Sequence, residues 1–283
     1  AGLATDWLAG SGVTDLRLNT PDSIVFKGDV NLDMAQQIQL DSRSIGWQAI
    51  AGNESGTVNL NAPHLAIRHT LKDVGESTTN RQVEGLVEAG NAIFNAHAGS
   101  MELTGAVKMN GFSAVNLRSD NQIQVRGINN PTLHRDFVGE IVTAGHLTLQ
   151  ASQISPSTLS DFSFKVVNNP AGKISIIGNQ GNKTIPLSAA GSLTLEAAHI
   201  LQAGTLVAPL GKITLNATET LELSAGSVTS VSADGLIIPF GVTEAELDWL
   251  YPLNSVSNLV LNSAPDKQIV LSAKDIDLAE GSV

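Results

Sequence analysis

The sequence predicts an all-β chain, a parallel β-helix in which short strands stack coil upon coil. Three observations predict it. A phrase of the form Gly-x-Leu-Thr-Leu-x-Ala recurs: GHLTLQA from Gly145, GKISIIG from Gly172, GSLTLEA from Gly191 and GKITLNA from Gly211, the last two intervals being 19 and 20 residues. Between Thr14 and Ser42 the apolar residues come in pairs with one residue between them: Leu16/Leu18, Ile24/Phe26, Val30/Leu32 and Ile38/Leu40. Period two places both members of a pair on one face of a strand. The pairs follow one another at steps of six to eight residues, too short for helices. A strand repeated about every 20 residues cannot bury its apolar face alone and must stack on a neighbour.

Looser copies extend the pattern: TDLRLNT from Thr14, GTVNLNA from Gly56, SNLVLNS from Ser257 and KQIVLSA from Lys267. The 20-residue offset predicts Leu193 over Ile213 and Leu195 over Leu215, all pointing inward. A leucine-rich repeat is set aside, because its own asparagine ladder and helical back are missing. Asn61-Ala62, Asn216-Ala217 and Asn262-Ser263 follow strands, where Asn tolerates sharp turns and can align into ladders. At about 20 residues per coil, about 10 to 12 coils are expected.

Four stretches break the period: 72–89, 127–143, 152–170 (with one strand at Phe162 to Val167) and 239–255. In the last, Thr243 and Glu246 have capping-box spacing before Leu247 and Leu250, with Pro252 beyond. A short helix over Glu244 to Leu250 is predicted there, packed on the shaft. No Gly/Ser- or Pro-rich linker separates halves, so residues 1–283 are read as one β-helix shaft segment, a fragment of a longer protein.

Composition fits a narrow aliphatic core. Hydrophobic residues are 42% of the 283, enough to bury a core, while aromatics are only 4%. The net charge of −11 argues against nucleic acid and anionic membrane surfaces as partners. There is no cysteine, which excludes disulfides, thiolate nucleophiles and cysteine metal sites. No apolar run approaches the ~18 residues that span a bilayer as a helix.

The stretch from Leu187 to Tyr251 carries a family likeness, above all AGSVTSVSADGLIIPFG from Ala225, and so does GHLTLQASQISPS from Gly145. It resembles the shafts of large secreted exoproteins of the filamentous haemagglutinin type, adhesins exported by two-partner secretion in Gram-negative bacteria. The resemblance covers roughly 145–251 and is diffuse before it; neither that family's N-terminal secretion domain nor a C-terminal toxin is visible. It implies a right-handed parallel β-helix shaft that is secreted and displayed at the cell surface. The partners it implies are an outer-membrane two-partner-secretion transporter, acting through the parent protein, and a host or bacterial surface receptor or glycan. A monomeric rod is expected. The resemblance carries over no catalytic residue.

Candidate chemistry is sparse. No P-loop, G-x-S-x-G, H-E-x-x-H or dinucleotide fingerprint occurs. Asp275 and Asp277, near Glu280, alternate along a strand and could share a face for calcium; a solvated surface is the plainer reading. Glu244, Glu246 and Asp248 suit a capped helix start. His64 and His69 fall on opposite faces of one strand, and the other four histidines are isolated, so no metal or cofactor is expected. Trp47, Trp249 and Tyr251 lie in or near interruptions, either pinning loops or stacking on sugar rings as glycan or partner contacts. The reading is therefore a structural and adhesive shaft segment and no enzyme. The alternatives are a stalk or receptor-binding part of a contact-dependent toxin-delivery exoprotein, or a polysaccharide-active β-helix enzyme.

Overall fold

In the computed structural model, residues 11–52, 54–71, 85–129, 137–183, 186–244, 248–252 and 258–282 are described. Among them every regular element is a strand. The first third holds β1 (Asp15–Asn19), β2 (Ser23–Lys27), β3 (Val30–Asp33), β4 (Gln37–Asp41), β5 (Ser44–Gln48), β6 (Thr57–Arg68) and β7 (Ala92–Thr104). The middle holds β8 (Ala106–Asn110), β9 (Phe112–Ser119), β10 (Gln122–Arg126), β11 (Ile128–Asn129), β12 (Phe137–Thr143), β13 (His146–Ala151), β14 (Gln153–Pro156), β15 (Ser160–Val166) and β16 (Lys173–Gly178). The last third holds β17 (Ser192–Ala203), β18 (Thr205–Val207), β19 (Lys212–Leu223), β20 (Val228–Ser230), β21 (Val242–Glu244), β22 (Asp248–Pro252), β23 (Asn258–Val260), β24 (Gln268–Ser272) and β25 (Asp275–Leu278).

Twenty-two of these strands form one sheet, parallel throughout except for the short β11–β12 pair. The pairings resolve into three ladders. The first runs β1, β4, the second half of β6, the second half of β7, β10, β14, β18 and β20. The second runs β2, β5, β8, β12, β15, and then the first halves of β17 and β19, and β24. The third runs β3, the first halves of β6 and β7, β9, β13, β16, the second halves of β17 and β19, and β25. The chain visits the ladders in the order first, second, third and repeats, with two departures among the described residues: between β6 and β7 no strand joins the second ladder, where β5 pairs directly with β8, and between β16 and β17 none joins the first. Among the described residues the third ladder is nine strands deep, against the ~10 to 12 coils expected for the whole chain.

Alternation explains why these segments are strands. Leu193, Leu195, Ile213 and Leu215 are all fully buried, paired Leu193↔Ile213 and Leu195↔Leu215 as the 20-residue offset predicts. Each contributes ~1.5–3 kcal/mol by leaving water. One continuous apolar core runs from Leu16 to Leu223. Its few aromatics meet along it, Phe26 with Phe94 at 6.3 Å between centroids and Phe94 with Phe112 at 5.4 Å. The glycine that opens the phrase is required by close approach: a Cβ at Gly211 would stand 2.0 Å from the Gly191 carbonyl oxygen, and one at Gly145 would stand 2.4 Å from that of Phe112.

The copies of the phrase do not all occupy one ladder. GHLTLQA and GKISIIG stack in the third, GSLTLEA and GKITLNA in the second. The 19-residue step from Gly172 to Gly191 is thus a passage between ladders and not one coil. Residues 179–183 and 186–190 make that passage without adding a strand to the first ladder. SNLVLNS falls outside the large sheet, in β23.

Two of the expected interruptions are corrected, although the strand expected within the second at Phe162 to Val167 is present as β15, and a third, 239–255, does leave the large sheet but not as a helix. Residues 137–143 are β12, and 153–156 and 160–166 are β14 and β15, all inside the parallel sheet. Ile141, Ile154, Phe162, Phe164 and Val166 supply buried positions, so these stretches carry the strand pattern under polar neighbours. Of 72–89, residues 72–84 lie outside the described residues. The short helix over Glu244 to Leu250 is not formed. β21, β22 and β23 pair instead as a three-stranded antiparallel sheet, with Val242 opposite Leu250 and Leu250 opposite Val260; residues 245–247, with Glu246, lie outside the described residues. Trp249, Leu250 and Tyr251 alternate out, in and out, a period-two pattern of strong strand formers that outweighs the capping-box spacing.

Candidate functional site

The first ladder builds a groove of about 790 Å³ on its outer flank. In β6, β7 and β10 the apolar pairs Leu65/Ile67, Met101/Leu103 and Ile123/Val125 turn inward. The residue after each pair must then turn outward. Register aligns those residues as Arg68, Thr104 and Arg126, one rung apart. Gln122 and Gln124 of β10 and Ser155 of β14 add amide and hydroxyl groups beside them. Ser157, Thr158, Ser160 and Ser188 continue that polar lining, while Ile128, Phe137, Pro186 and Leu187 form apolar walls, Leu187 being 65% exposed. Tyr251 reaches the groove from β22.

Local geometry fixes this lining. A Cβ on Gly127 would stand 1.8 Å from the Phe137 carbonyl oxygen, so glycine lets β11 and β12 close against each other. The Gly127 amide donates to Ser160 Oγ at 3.0 Å. Arg68 Nη1 donates to Gln39 Oε1 at 3.3 Å, but Arg68 Nε has no hydrogen-bond partner among the described residues, and neither has Ser157 Oγ. Buried polar atoms without partners are uncommon, and two of them line this groove.

The groove's charge is opposite to that of the chain. Among the described residues its lining holds two arginines and no carboxylate, whereas the whole chain has 16 basic and 27 acidic residues. On the neighbouring rung Asp41 is buried, with its carboxylate engaged by the Thr70 amide at 2.8 Å and by the Thr70 hydroxyl. Glu102 accepts from the Thr104 hydroxyl at 2.8 Å.

The three aromatics singled out in the sequence do not converge. Trp47 lies in β5, half-buried, its Nε1 donating to the Gly28 carbonyl at 2.8 Å; a Cβ on Gly56 would come within 2.8 Å of its ring. That is a pin between successive passes of chain. Trp249 Nε1 donates to the Phe240 carbonyl at 2.7 Å, and the Trp249 ring meets Phe240 edge-on at 5.8 Å. Tyr251 contacts the same Phe240 ring at 5.3 Å and is the one of the three that lines the groove. Sequence reasoning missed Arg68 and Arg126. The signal was present: each directly follows a buried aliphatic pair, in LAIR and IQVR.

Asp275, Asp277, His64 and His69 are not among the residues that line the groove. Asp275 and Asp277 are exposed on β25, opposite Thr220 and Glu222. His64 Nδ1 is 3.2 Å from Ser100 Oγ, and the buried His69 has Nδ1 2.9 Å from the Ala106 carbonyl. On the second ladder Lys165 donates to the buried Glu140 at 2.9 Å, with Glu196 at 3.9 Å. Burial disfavours the charged lysine, yet the hydrogen bond and charge of Glu140, with Glu196 and Asp161, outweigh it and raise the Lys165 pKa. Comparison with protein-family models, with characterised proteins and with solved structures gives no match.

Proposed function

We propose that this chain is a right-handed parallel β-helix, a shaft segment of a large secreted bacterial surface exoprotein of the filamentous haemagglutinin type that mediates attachment to cells or surfaces. The observation that supports it best is the order of strand visits, first, second and third ladder in repetition with two visits skipped, and each strand parallel to its neighbour in the ladder. Right-handedness follows the near-universal hand of parallel crossover connections. The core ends in an open stack: Ile276 and Leu278 pair with Leu221 and Leu223 yet remain 45% and 57% exposed. Further coils could continue on that surface. Export through an outer-membrane partner pore and display outside the cell belong to this reading, as does recognition through loops and flanks carried by a rigid rod.

Beads coated with the folded chain test the attachment. They should adhere to host or bacterial cells more than beads coated with an unrelated protein, and free chain should compete. Folded chain that confers no adhesion would leave a shaft without the adhesive role.

A further inference from the structure

We propose that the groove around Arg68, Arg126 and Tyr251 binds an acidic saccharide through its carboxylate. The inference adds a ligand class to the adhesive reading and stands without it, since the groove's chemistry does not depend on how the chain is displayed. Guanidinium groups match the planar carboxylate and bind it through paired N–H donors. Arg68 and Arg126 lie two rungs apart, with only Thr104 between them, so their Cα atoms are separated by ~9.6 Å at ~4.8 Å per rung. That spacing suits one anionic group held between the two side chains, or one on each of two neighbouring sugars.

The rest of the lining suits sugar hydroxyls. Gln122, Gln124, Ser155 and Ser157 offer amides and hydroxyls along one wall, and Tyr251 offers an aromatic ring at the rim. The carboxylates on adjoining positions do not compete for the arginines at close range: Asp41 is held by Thr70 and Glu102 by the Thr104 hydroxyl. In a chain of net charge −11, a groove whose described lining holds two cations and no anion is a local reversal of charge. A neutral sugar would leave the arginines unused. A bulky duplex is excluded by the acidity of the surrounding surface.

Isothermal titration of the full chain tests this with trigalacturonate and sialyllactose, which separate a uronate source from a sialate source. Comparators are the methyl ester of trigalacturonate, a sulfated neutral galactose trisaccharide and triglutamate. Saturable binding of at least one carboxylate sugar is expected, with loss on esterification. Arg126 is exposed, so Arg126→Gln should keep the fold by circular dichroism and weaken binding at least tenfold. Lys212→Gln, exposed on the second ladder, should leave it unchanged. The proposal is overturned if the folded chain binds neither carboxylate sugar, if the ester binds equally, or if Arg126→Gln has no effect. Tighter binding of the sulfated sugar overturns the carboxylate assignment, and tighter binding of triglutamate overturns the saccharide.

Discussion

Gly211 lies so close to Gly191 that a single added methyl group would overlap the Gly191 carbonyl oxygen, at 2.0 Å. The Gly191 carbonyl also accepts the Lys212 amide at 3.0 Å, so the two glycines close one pass of the chain onto the next. Gly211→Ala must push those passes apart and should cost about 3 kcal/mol or more. Gly226→Ala is the control: nothing lies within 4 Å of its Cβ position, and its φ of +76 leaves only backbone strain, ~1–2 kcal/mol. Urea denaturation of both variants gives the comparison; equal losses would show that close approach is not what glycine provides at Gly211.

A ladder of asparagines runs along the third ladder's outer face. Asn59 Nδ2 donates to Asn31 at 2.7 Å, Asn95 to Asn59 at 2.8 Å and Asn116 to Asn95 at 2.9 Å. Asn59→Ala removes one donor and one acceptor and strands Asn95, so it should cost about 1–2 kcal/mol. Asn31→Ala, at the end of the row and exposed, should cost less. The reverse order in thermal denaturation would contradict a cooperative row.

The Glu140–Lys165 pair gives a pH signature. Glu140 is only 5% exposed, so Lys165→Met leaves a buried carboxylate without its cation and should cost about 3–5 kcal/mol at neutral pH. The double variant with Glu140→Gln should recover part of that. The Lys165 pKa is raised above the ordinary 10.5. Its contribution is therefore complete below pH 10.5 and is lost as pH rises through the higher folded value. As the pH is raised from neutral, the stability gap between wild type and Lys165→Met should narrow only above that point; a gap already closed at pH 8 would contradict the assignment.

The antiparallel excursion should behave as a separate local unit. Trp249→Ala removes the hydrogen bond to Phe240 and the edge-on ring contact. Amide exchange should speed up at Val242 and Leu250 while Leu193 and Leu195 keep their protection. Equal acceleration in both regions would mean that this sheet supports the core directly.

Much of the fold was legible because strand period is a local signal. Leu193/Leu195 and Ile213/Leu215 announce both their faces and their register, and the structure pairs them as read. What was not legible is which strand a phrase stacks on. GKISIIG and GSLTLEA look like consecutive repeats, but an irregular passage between them shifts the second to another ladder. The helix was misread because Leu247, Leu250 and Tyr251 satisfy helical spacing while Trp249 to Tyr251 also satisfy strand alternation, and only tertiary pairing with Val242 and Val260 decides between them. The groove was illegible for a related reason. Arg68 and Arg126 are 58 residues apart in the sequence and meet only because an intervening strand places Thr104 between them.

If the chain is a rod of stacked passes, distances along one outward row must grow in proportion to the number of strands between them. Asn31, Ser175 and Asp277 occupy the same outward row of the third ladder, Ser175 five strands from Asn31 and three from Asp277. The chain has no cysteine, so spin labels can be attached at introduced cysteines, two at a time. At ~4.8 Å per strand, the expected separations are about 24 Å for Asn31–Ser175, about 14 Å for Ser175–Asp277 and about 38 Å for Asn31–Asp277, the last being the sum of the other two. An Asn31–Asp277 separation no longer than that of Asn31–Ser175 would contradict the rod.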